Sequence, residues 1–87
     1  MSGLTDFLLA RIAEDEESAP FIFAEQYTPS RVLAECRAKR RIVALCEENL
    51  RDLSAGGTGR RQFASHALQT LAQPYTDQPD FQPEWRA

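Results

Sequence analysis

Cys36, Cys46 and His66 are the soft metal ligands of this sequence, and Ser65 is the possible nucleophile next to the histidine. The cysteines do not have the Cys-x-x-Cys spacing of a zinc site, and the single histidine lacks a second histidine to pair with. Ser65 and His66 are neighbours, and adjacent residues of a helix do not face each other. We therefore predict no metal, no cofactor and no catalytic residue. We expect both cysteines in the core and His66 near the solvent face, with a pH switch or partner contact as the alternative for His66.

The glycine-rich stretch at residues 56–59, followed by Arg60 and Arg61, has the composition of a phosphate cradle. Backbone N–H groups at a helix N-terminus attract anions, and two arginines add positive charge. No predicted strand precedes the stretch and no Gly-Lys-Ser or Gly-Lys-Thr follows, so the P-loop and dinucleotide fingerprints do not apply. We favour a flexible connection between two helices, with glycines that accept positive φ, over an anion site.

Charged residues form clusters of opposite sign. An acidic run occupies residues 14–17. The first basic cluster consists of Arg37, Lys39, Arg40 and Arg41, and the second, smaller one consists of Arg60 and Arg61. Basic residues that wrap around a helix usually form a solvated face, and we expect those of the long helix to pair with the acidic run. Nucleic-acid contact is the alternative, although the formal net charge of −3 disfavours it.

The C-terminal residues combine three prolines with three large aromatic side chains, which are Tyr75, Phe81 and Trp85. The prolines exclude regular helix through most of residues 74–87 and favour an extended course. Burying one aromatic side chain contributes about 1.5 to 3 kcal/mol, so leaving all three in water is unfavourable. We favour a strap over the core, and the alternative is a peptide offered to a groove on another protein.

The longest predicted element begins at Thr28 and Pro29, because threonine is a good helix cap and proline suits the first helical position. The apolar residues that follow at steps of three and four are Val32, Leu33, Cys36, Val43, Cys46, Leu50 and Leu53, and Ile42 and Leu45 widen this stripe. No glycine or proline interrupts the pattern. We predict one helix over residues 29–53, about 37 Å long at about 1.5 Å per residue.

Two shorter helices and an apolar connection complete the arrangement. Residues 4–17 follow the helical template, with Thr5 or Ser2 as the cap, and residues 60–73 form the third helix. The apolar side of the third helix consists of Phe63, Ala64, Ala67, Leu68 and Leu71. In the connection at residues 18–27 we favour a loop or short helical turn that inserts its aromatic side chains into the core over a lone strand.

Eighty-seven residues leave room for one core, and we expect a single domain over residues 1–87. A domain of this size buries only about 60% of the surface that its unfolded chain exposes, so it gains much from association. The sequence has no secretory signal and no apolar stretch near the length of a membrane span. We therefore expect a cytoplasmic protein without membrane contact.

Three blocks of the sequence resemble a family of small uncharacterised proteins from actinobacteria and their phages. The blocks are FLLARIAEDE at 7–16, PSRVLAECRAKRRI at 29–42, and LAQPY at 71–75 with PEWR at 83–86. The family has a domain of unknown function, so the resemblance implies a phage or prophage origin and no activity, cofactor or site residue. Other members often have a longer segment between the acidic run and the long helix, where this chain has only residues 18–28.

These observations predict an all-α fold: a three-helix arrangement with one long central helix, a helical hairpin formed with the third helix, and a Pro/aromatic C-terminal strap. We expect a small non-enzymatic interaction protein that associates with itself or binds a host protein, without a small-molecule substrate. The alternative is a nucleic-acid-binding accessory protein that uses the two basic clusters. The candidate partner contacts are the six basic residues and the three tail aromatics named above.

Overall fold

The computed structural model describes residues 3–22 and 28–86, and within these ranges it contains three α-helices and no strand. The helices are α1 Gly3–Ser18, α2 Pro29–Leu50 and α3 Thr58–Ala72. Short 3₁₀ turns occupy Ala19–Phe21, Ala55–Gly57, Gln73–Tyr75 and Pro83–Trp85. The predicted all-α fold with one long helix is confirmed. Among the described residues, none of the helices combines the length and apolar character that a bilayer crossing requires.

The long helix α2 begins at its predicted cap. The Thr28 hydroxyl oxygen accepts a hydrogen bond from the backbone N–H of Arg31 at 3.2 Å. Pro29 is the first helical residue. A backbone N–H at this position would have no acceptor within the helix, so the absence of an N–H in proline removes no hydrogen bond. Local chemistry at two neighbouring residues therefore fixes where the central helix starts.

The C-terminus of α2 differs from the prediction, because the helix ends at Leu50 instead of continuing through residue 53. The Asp52 N–H donates to the Asn49 carbonyl at 3.2 Å, and the Asp52 carboxylate accepts the Ser54 N–H at 3.0 Å. Aspartate side chains that bond the backbone two residues onward compete with helix propagation. Leu53 therefore leaves the apolar stripe and is 86% exposed, so its predicted place in that stripe is wrong.

Helix α1 begins at Gly3, one residue before the predicted start, and it does not use Thr5 as a cap. Thr5 is fully buried inside the helix, and its hydroxyl donates to the Glu47 carboxylate of α2. The alternative cap, Ser2, lies outside the described residues. A threonine hydroxyl can be buried there because a carboxylate of the neighbouring helix accepts its hydrogen bond.

The core lies where the three helices meet, and each helix contacts the other two. Its buried side chains are Phe7, Leu8 and Ile12 from α1, Cys36, Val43 and Cys46 from α2, and Ala64, Leu68 and Ala72 from α3. Both cysteines are therefore core residues, as predicted. The predicted hairpin of α2 and α3, with α1 packed against it, is present.

The connection between α1 and α2 is described only in its first part. A 3₁₀ turn follows α1, in agreement with the predicted short helical turn. This turn buries Ala19, whereas Phe21 is 77% exposed. The prediction that Phe21 enters the core is therefore wrong. Phe23, which was predicted to insert with it, lies outside the described residues.

The C-terminal tail returns over α1. The prediction that the tail is extended is wrong, because its backbone forms turns. The N–H groups of Gln78, Phe81 and Trp85 each donate to the carbonyl three residues earlier, at distances of 3.0 to 3.1 Å. Proline fixes φ near about −65°, which suits a 3₁₀ turn as well as an extended chain. The prolines therefore fold the tail into successive turns.

Candidate protein-interaction site

A group of apolar side chains on one side of α2 and α3 is exposed or half-buried. We call this group the α2–α3 face, and it consists of the exposed Ile42, Leu45 and Phe63 with the half-buried Ala67 and Leu71. Phe63 is 77% exposed, Leu45 is 44% exposed and Ile42 is 41% exposed. A groove of about 350 Å³ lies between the two helices and is lined by four of these residues with His66 and Thr70. Clusters of exposed large apolar side chains are typical of protein contact sites.

The α2–α3 face arises because the apolar stripe of α2 is wider than the surface that its neighbours cover. Successive residues of a helix point about 100° apart. Ile42 therefore lies one step around the helix from the buried Val43, and Leu45 lies one step from the buried Cys46. On α3, Phe63 precedes a buried alanine in the same way. Each exposed residue is adjacent in sequence to a core residue and points away from the core.

A larger groove, of about 620 Å³, lies between the first turns of α1 and the tail. Three carboxylates line it, from Asp6, Asp80 and Glu84, beside the ring of Trp85. No cluster of three or more His, Cys, Asp or Glu side chains with metal-binding geometry occurs among the described residues. This groove also lacks a lining histidine, cysteine, serine or basic residue, so it presents negative charge without a group that would complete a catalytic set.

Arg40, a predicted partner contact, is engaged within the chain. Its Nη2 and Nε donate to the two Glu16 carboxylate oxygens at 2.6 and 3.0 Å, which is the two-point geometry that Arg and carboxylate favour. This hydrogen-bonded pairing lowers the pKa of Glu16 and raises the pKa of Arg40. The predicted pairing between the basic cluster and the acidic run is therefore confirmed for this residue.

Lys39 lies at a junction of α1, α2 and the tail. Its Nζ donates to the Tyr75 hydroxyl oxygen at 3.4 Å, and that hydroxyl donates to the Asp15 carboxylate at 2.9 Å. Burial opposes the charge on Lys39, but the hydrogen bond to Tyr75 and the nearby Asp15 outweigh it, so the pKa of Lys39 is raised. Burial and the hydrogen bond to Asp15 also raise the pKa of Tyr75. Two of the predicted partner contacts, Lys39 and Tyr75, are therefore engaged within the chain.

The second basic cluster is directed at Asp52, at the end of α2. Arg60 forms an ion pair with the Asp52 carboxylate, and Arg61 donates to the Asp52 backbone carbonyl and, at 3.1 Å, to the Thr58 hydroxyl. Hydrogen bonds from Ser54 and from Arg60 lower the pKa of Asp52 to about 2. Both arginines are therefore engaged by groups of the connection between α2 and α3. This geometry does not favour the alternative of a phosphate cradle.

Gly57 is required by a close approach and not by its backbone conformation. None of the described glycines has a positive φ, so the left-handed conformation that glycine accepts is not used there. A Cβ at Gly57 would lie 2.9 Å from the Asp52 carbonyl oxygen and 2.9 Å from Arg61 Nη1. At Gly56 and Gly59 an added Cβ would meet nothing within 4 Å. The connection is therefore tightly packed at one glycine and open at the other two.

Arg37 and Arg41 are the remaining basic candidates. Both are exposed on α2, one turn apart, and neither forms an ion pair or hydrogen bond with the part of the chain that the structure describes. The six basic candidates therefore divide into four that are engaged by other groups and two that are open to solvent. They do not form one continuous basic surface.

The three tail aromatics surround Phe7 of α1. The centroid of the Phe7 ring lies 5.1 Å from that of Trp85, 5.8 Å from that of Phe81 and 6.3 Å from that of Tyr75. Arg11 adds polar contacts by donating to tail side chains at 2.8 and 3.2 Å. The strap interpretation is confirmed, and these aromatics serve the core in this structure instead of being presented to a groove elsewhere.

The residues with nucleophilic side chains do not converge on one place. Cys36 and Cys46 are buried free thiols, and burial raises the pKa of both. Ser65 and His66 are exposed, as predicted for His66, and His66 lines the groove of the α2–α3 face. A thiol with a raised pKa is a weaker nucleophile at neutral pH because less of it is ionised.

A family model matches residues 21–87, a range that includes all of α2, α3 and the tail but omits α1. The chain belongs to DUF6221, a family of unknown function. The predicted resemblance to an uncharacterised family is thereby confirmed for the blocks at 29–42, 71–75 and 83–86, whereas the block at 7–16 lies outside the matched residues. No curated protein and no solved structure matches the chain. The part of the chain that the DUF6221 model spans includes the whole α2–α3 face.

Sequence reasoning did not identify the α2–α3 face. It placed Phe63 on the buried side of the third helix and treated Ile42 and Leu45 as part of a core-facing stripe, and these placements are wrong. The signal was nevertheless present. Apolar residues at adjacent positions, such as 42 with 43 and 45 with 46, cover more of a helix than one neighbouring helix can bury.

Proposed function

We propose that this chain is a small non-enzymatic interaction protein that binds a polypeptide through the α2–α3 face. The observation that supports this most directly is the 77% exposure of Phe63, which lines one groove with the exposed Ile42. Large aromatic side chains that remain in water on a rigid helix are typical anchors of protein interfaces. The core is complete without them, so their place on the surface is not explained by folding.

The energy of burial favours association at this face. Covering a large apolar side chain contributes about 1.5 to 3 kcal/mol, and three side chains of the face are exposed. A chain of 87 residues is also near the lower limit at which a single core gives stability. A polypeptide partner that covered the face would therefore stabilise the folded chain as well as bind it.

Nucleic-acid binding is less well supported. Four of the six basic candidates are engaged by other groups of the chain, so Arg37 and Arg41 are the two candidates that remain open. The net charge of the chain is −3. Phosphate contacts are strongest at low salt. A gel shift at about 50 mM salt that showed retention of duplex or single-stranded nucleic acid would favour this alternative.

The sequence resemblance supports a phage or prophage origin, and we propose that the protein acts in the cytoplasm of an actinobacterial cell. We propose that the protein acts there by occupying a surface of another chain. This part of the proposal is an analogy with the family, and the α2–α3 face supplies the physical site for it.

Site-specific photo-cross-linking tests the proposed function. A benzophenone amino acid placed at position 63 should cross-link to a polypeptide in cells that express the protein. The matched control places the same amino acid at Ser65, which is exposed on the same helix but lies about 200° around it from position 63. Cross-linking at position 63 and not at 65 is the expected result, and its absence at position 63 would refute the proposal.

A further inference from the structure

Two oppositely charged residues flank the exposed Leu45 along α2. Arg41 and Glu48 are seven residues apart, both are exposed, and neither forms an ion pair within residues 3–22 and 28–86. Seven residues are almost two helical turns, so the two side chains point in nearly the same direction about 10.5 Å apart. They form a charged edge along the apolar α2–α3 face.

The spacing of this edge is self-complementary. Consider two α2 helices that lie antiparallel and cross beside Leu45. Two residues then face each other when their residue numbers add up to 89. Arg41 of one copy then lies beside Glu48 of the second copy, and Glu48 lies beside the second Arg41. A two-fold axis repeats every contact, so one dimer contains two such ion pairs. A parallel two-fold arrangement would instead place the charged edge of each copy against the apolar edge of the second copy, so neither ion pair would form.

The apolar residues occupy the other edge of the same face. Ile42 lies on the side of Leu45 opposite to Arg41, next to the groove and Phe63 on α3. In the antiparallel arrangement, residues on one edge of a helix face residues on the same edge of the second helix. The charged edges therefore meet each other, and the apolar edges with Phe63 also meet.

We infer that the partner of the α2–α3 face is a second copy of this chain, bound with the two α2 helices antiparallel and paired through Arg41 and Glu48. This inference rests on the proposed function, because it names the polypeptide that the face binds. The apolar side chains supply the attraction in this dimer. The two ion pairs select the antiparallel direction and the register, which is the usual contribution of charges at an interface edge.

Charge reversal tests the inference on the full-length chain. Analytical ultracentrifugation should give a mass near twice the 9.8 kDa chain mass for the wild type. Arg41→Glu places like charges opposite each other twice per dimer, as does Glu48→Arg, and each should raise the dimer dissociation constant about tenfold. Glu17→Arg, on the exposed end of α1, is the control and should leave the dissociation constant unchanged.

The decisive step is to mix the two charge-reversed variants. One variant carries glutamate at both positions 41 and 48, and the other carries arginine at both, so antiparallel heterodimers regain both ion pairs. The mixture should dimerise with nearly wild-type affinity, and the double variant R41E/E48R should do so by itself. Failure of both rescues would overturn the antiparallel pairing.

The outcomes also separate this inference from the proposed function. A wild-type mass of one chain at about 100 µM, far above micromolar dissociation constants, would overturn the dimer. If position 63 then still cross-linked to a different polypeptide, the proposed function would stand with another partner. If position 63 cross-linked to nothing, both would be wrong.

Discussion

Phe7 and Phe63 are both phenylalanines on helices of this chain, yet Phe7 is 5% exposed and Phe63 is 77% exposed. Phe7 lies under the tail, where three aromatic rings surround it within 6.3 Å. Phe63 lies on the α2–α3 face, where no described segment of the chain returns to cover it. The tail is thus the element that distinguishes the closed side of the molecule from the open side.

This difference shows which apolar residues serve folding and which are available for binding. On the closed side, aromatic contacts are reinforced by Arg11 and by the contacts of Lys39 with Tyr75. On the open side, the neighbouring charges at Arg41 and Glu48 have no partner within the described residues. Residues whose polar neighbours are satisfied within the chain complete the fold, whereas those on the open side are the residues that we propose bind a second copy of the chain.

The largest expected effect comes from making the same substitution on the two sides. Phe7→Ala should destabilise the chain by about 3 to 5 kcal/mol because it opens a cavity among packed rings. Phe63→Ala should change stability by at most about 0.5 kcal/mol when the chain is monomeric, since little packing is lost. Urea unfolding followed by circular dichroism measures both free energies.

If Phe7→Ala does not fold, Phe7→Leu provides the same comparison with a smaller loss, about 1.5 kcal/mol or less, because it retains most of the apolar volume. Equal losses of stability at positions 7 and 63 would contradict the distinction between a closed and an open side.

The tail itself is tested by Trp85→Ala, which should cost about 2 kcal/mol or more. Its ring packs against Phe7 at 5.1 Å and against Phe81 at 5.6 Å, and its carbonyl accepts a hydrogen bond from the Gln73 side chain at 2.7 Å. Trp85→Phe keeps an aromatic ring in place and should lose much less stability than Trp85→Ala. Thermal unfolding measures the difference, and an unchanged midpoint for Trp85→Ala would mean that the tail is not a strap.

Much of the fold was predictable because its signals are local. The Thr28 cap, the proline that follows it and the spacing of apolar residues fix α2 within a few neighbouring positions. The strap was predictable for a similar reason, since three aromatic side chains among prolines require cover. Its turns were not, because proline at φ near about −65° fits two backbone conformations equally well.

The candidate site was less predictable because it depends on contacts between distant residues. The periodicity of α2 does not show which side of its wide apolar stripe α1 and α3 will occupy, so Ile42 and Leu45 were assigned to the core. The pairings of Lys39 with Tyr75 and of Arg40 with Glu16 join residues far apart in sequence. A list of basic residues therefore could not separate Arg41 from those already engaged.

The connection that holds the two helices of the open face can be tested at Gly57. Gly57→Ala should cost about 1 to 3 kcal/mol, because the added methyl group would lie 2.9 Å from the Asp52 carbonyl oxygen. Gly59→Ala, inside α3 with nothing within 4 Å, should be neutral or stabilising by up to about 1 kcal/mol. Chemical unfolding compares the two, and a loss of stability at Gly59 that matched the loss at Gly57 would refute the close approach.

The smallest expected effect is a change in the pH dependence of stability at the same connection. The pKa of Asp52 is about 2 in the folded chain, below its ordinary value of 3.8, because hydrogen bonds from Ser54 and Arg60 favour the charged form. A lowered pKa contributes stability that is present above pH 3.8 and is lost as the pH falls through about 2. Asp52→Asn should therefore be less stable than the wild type at neutral pH and lose less stability over that acid range. Asp77→Asn, which removes an exposed tail carboxylate, is the control and should keep the wild-type acid dependence in urea unfolding. If Asp52→Asn also kept the wild-type acid dependence of stability, the ion pair at the end of α2 would contribute nothing to holding the open face together.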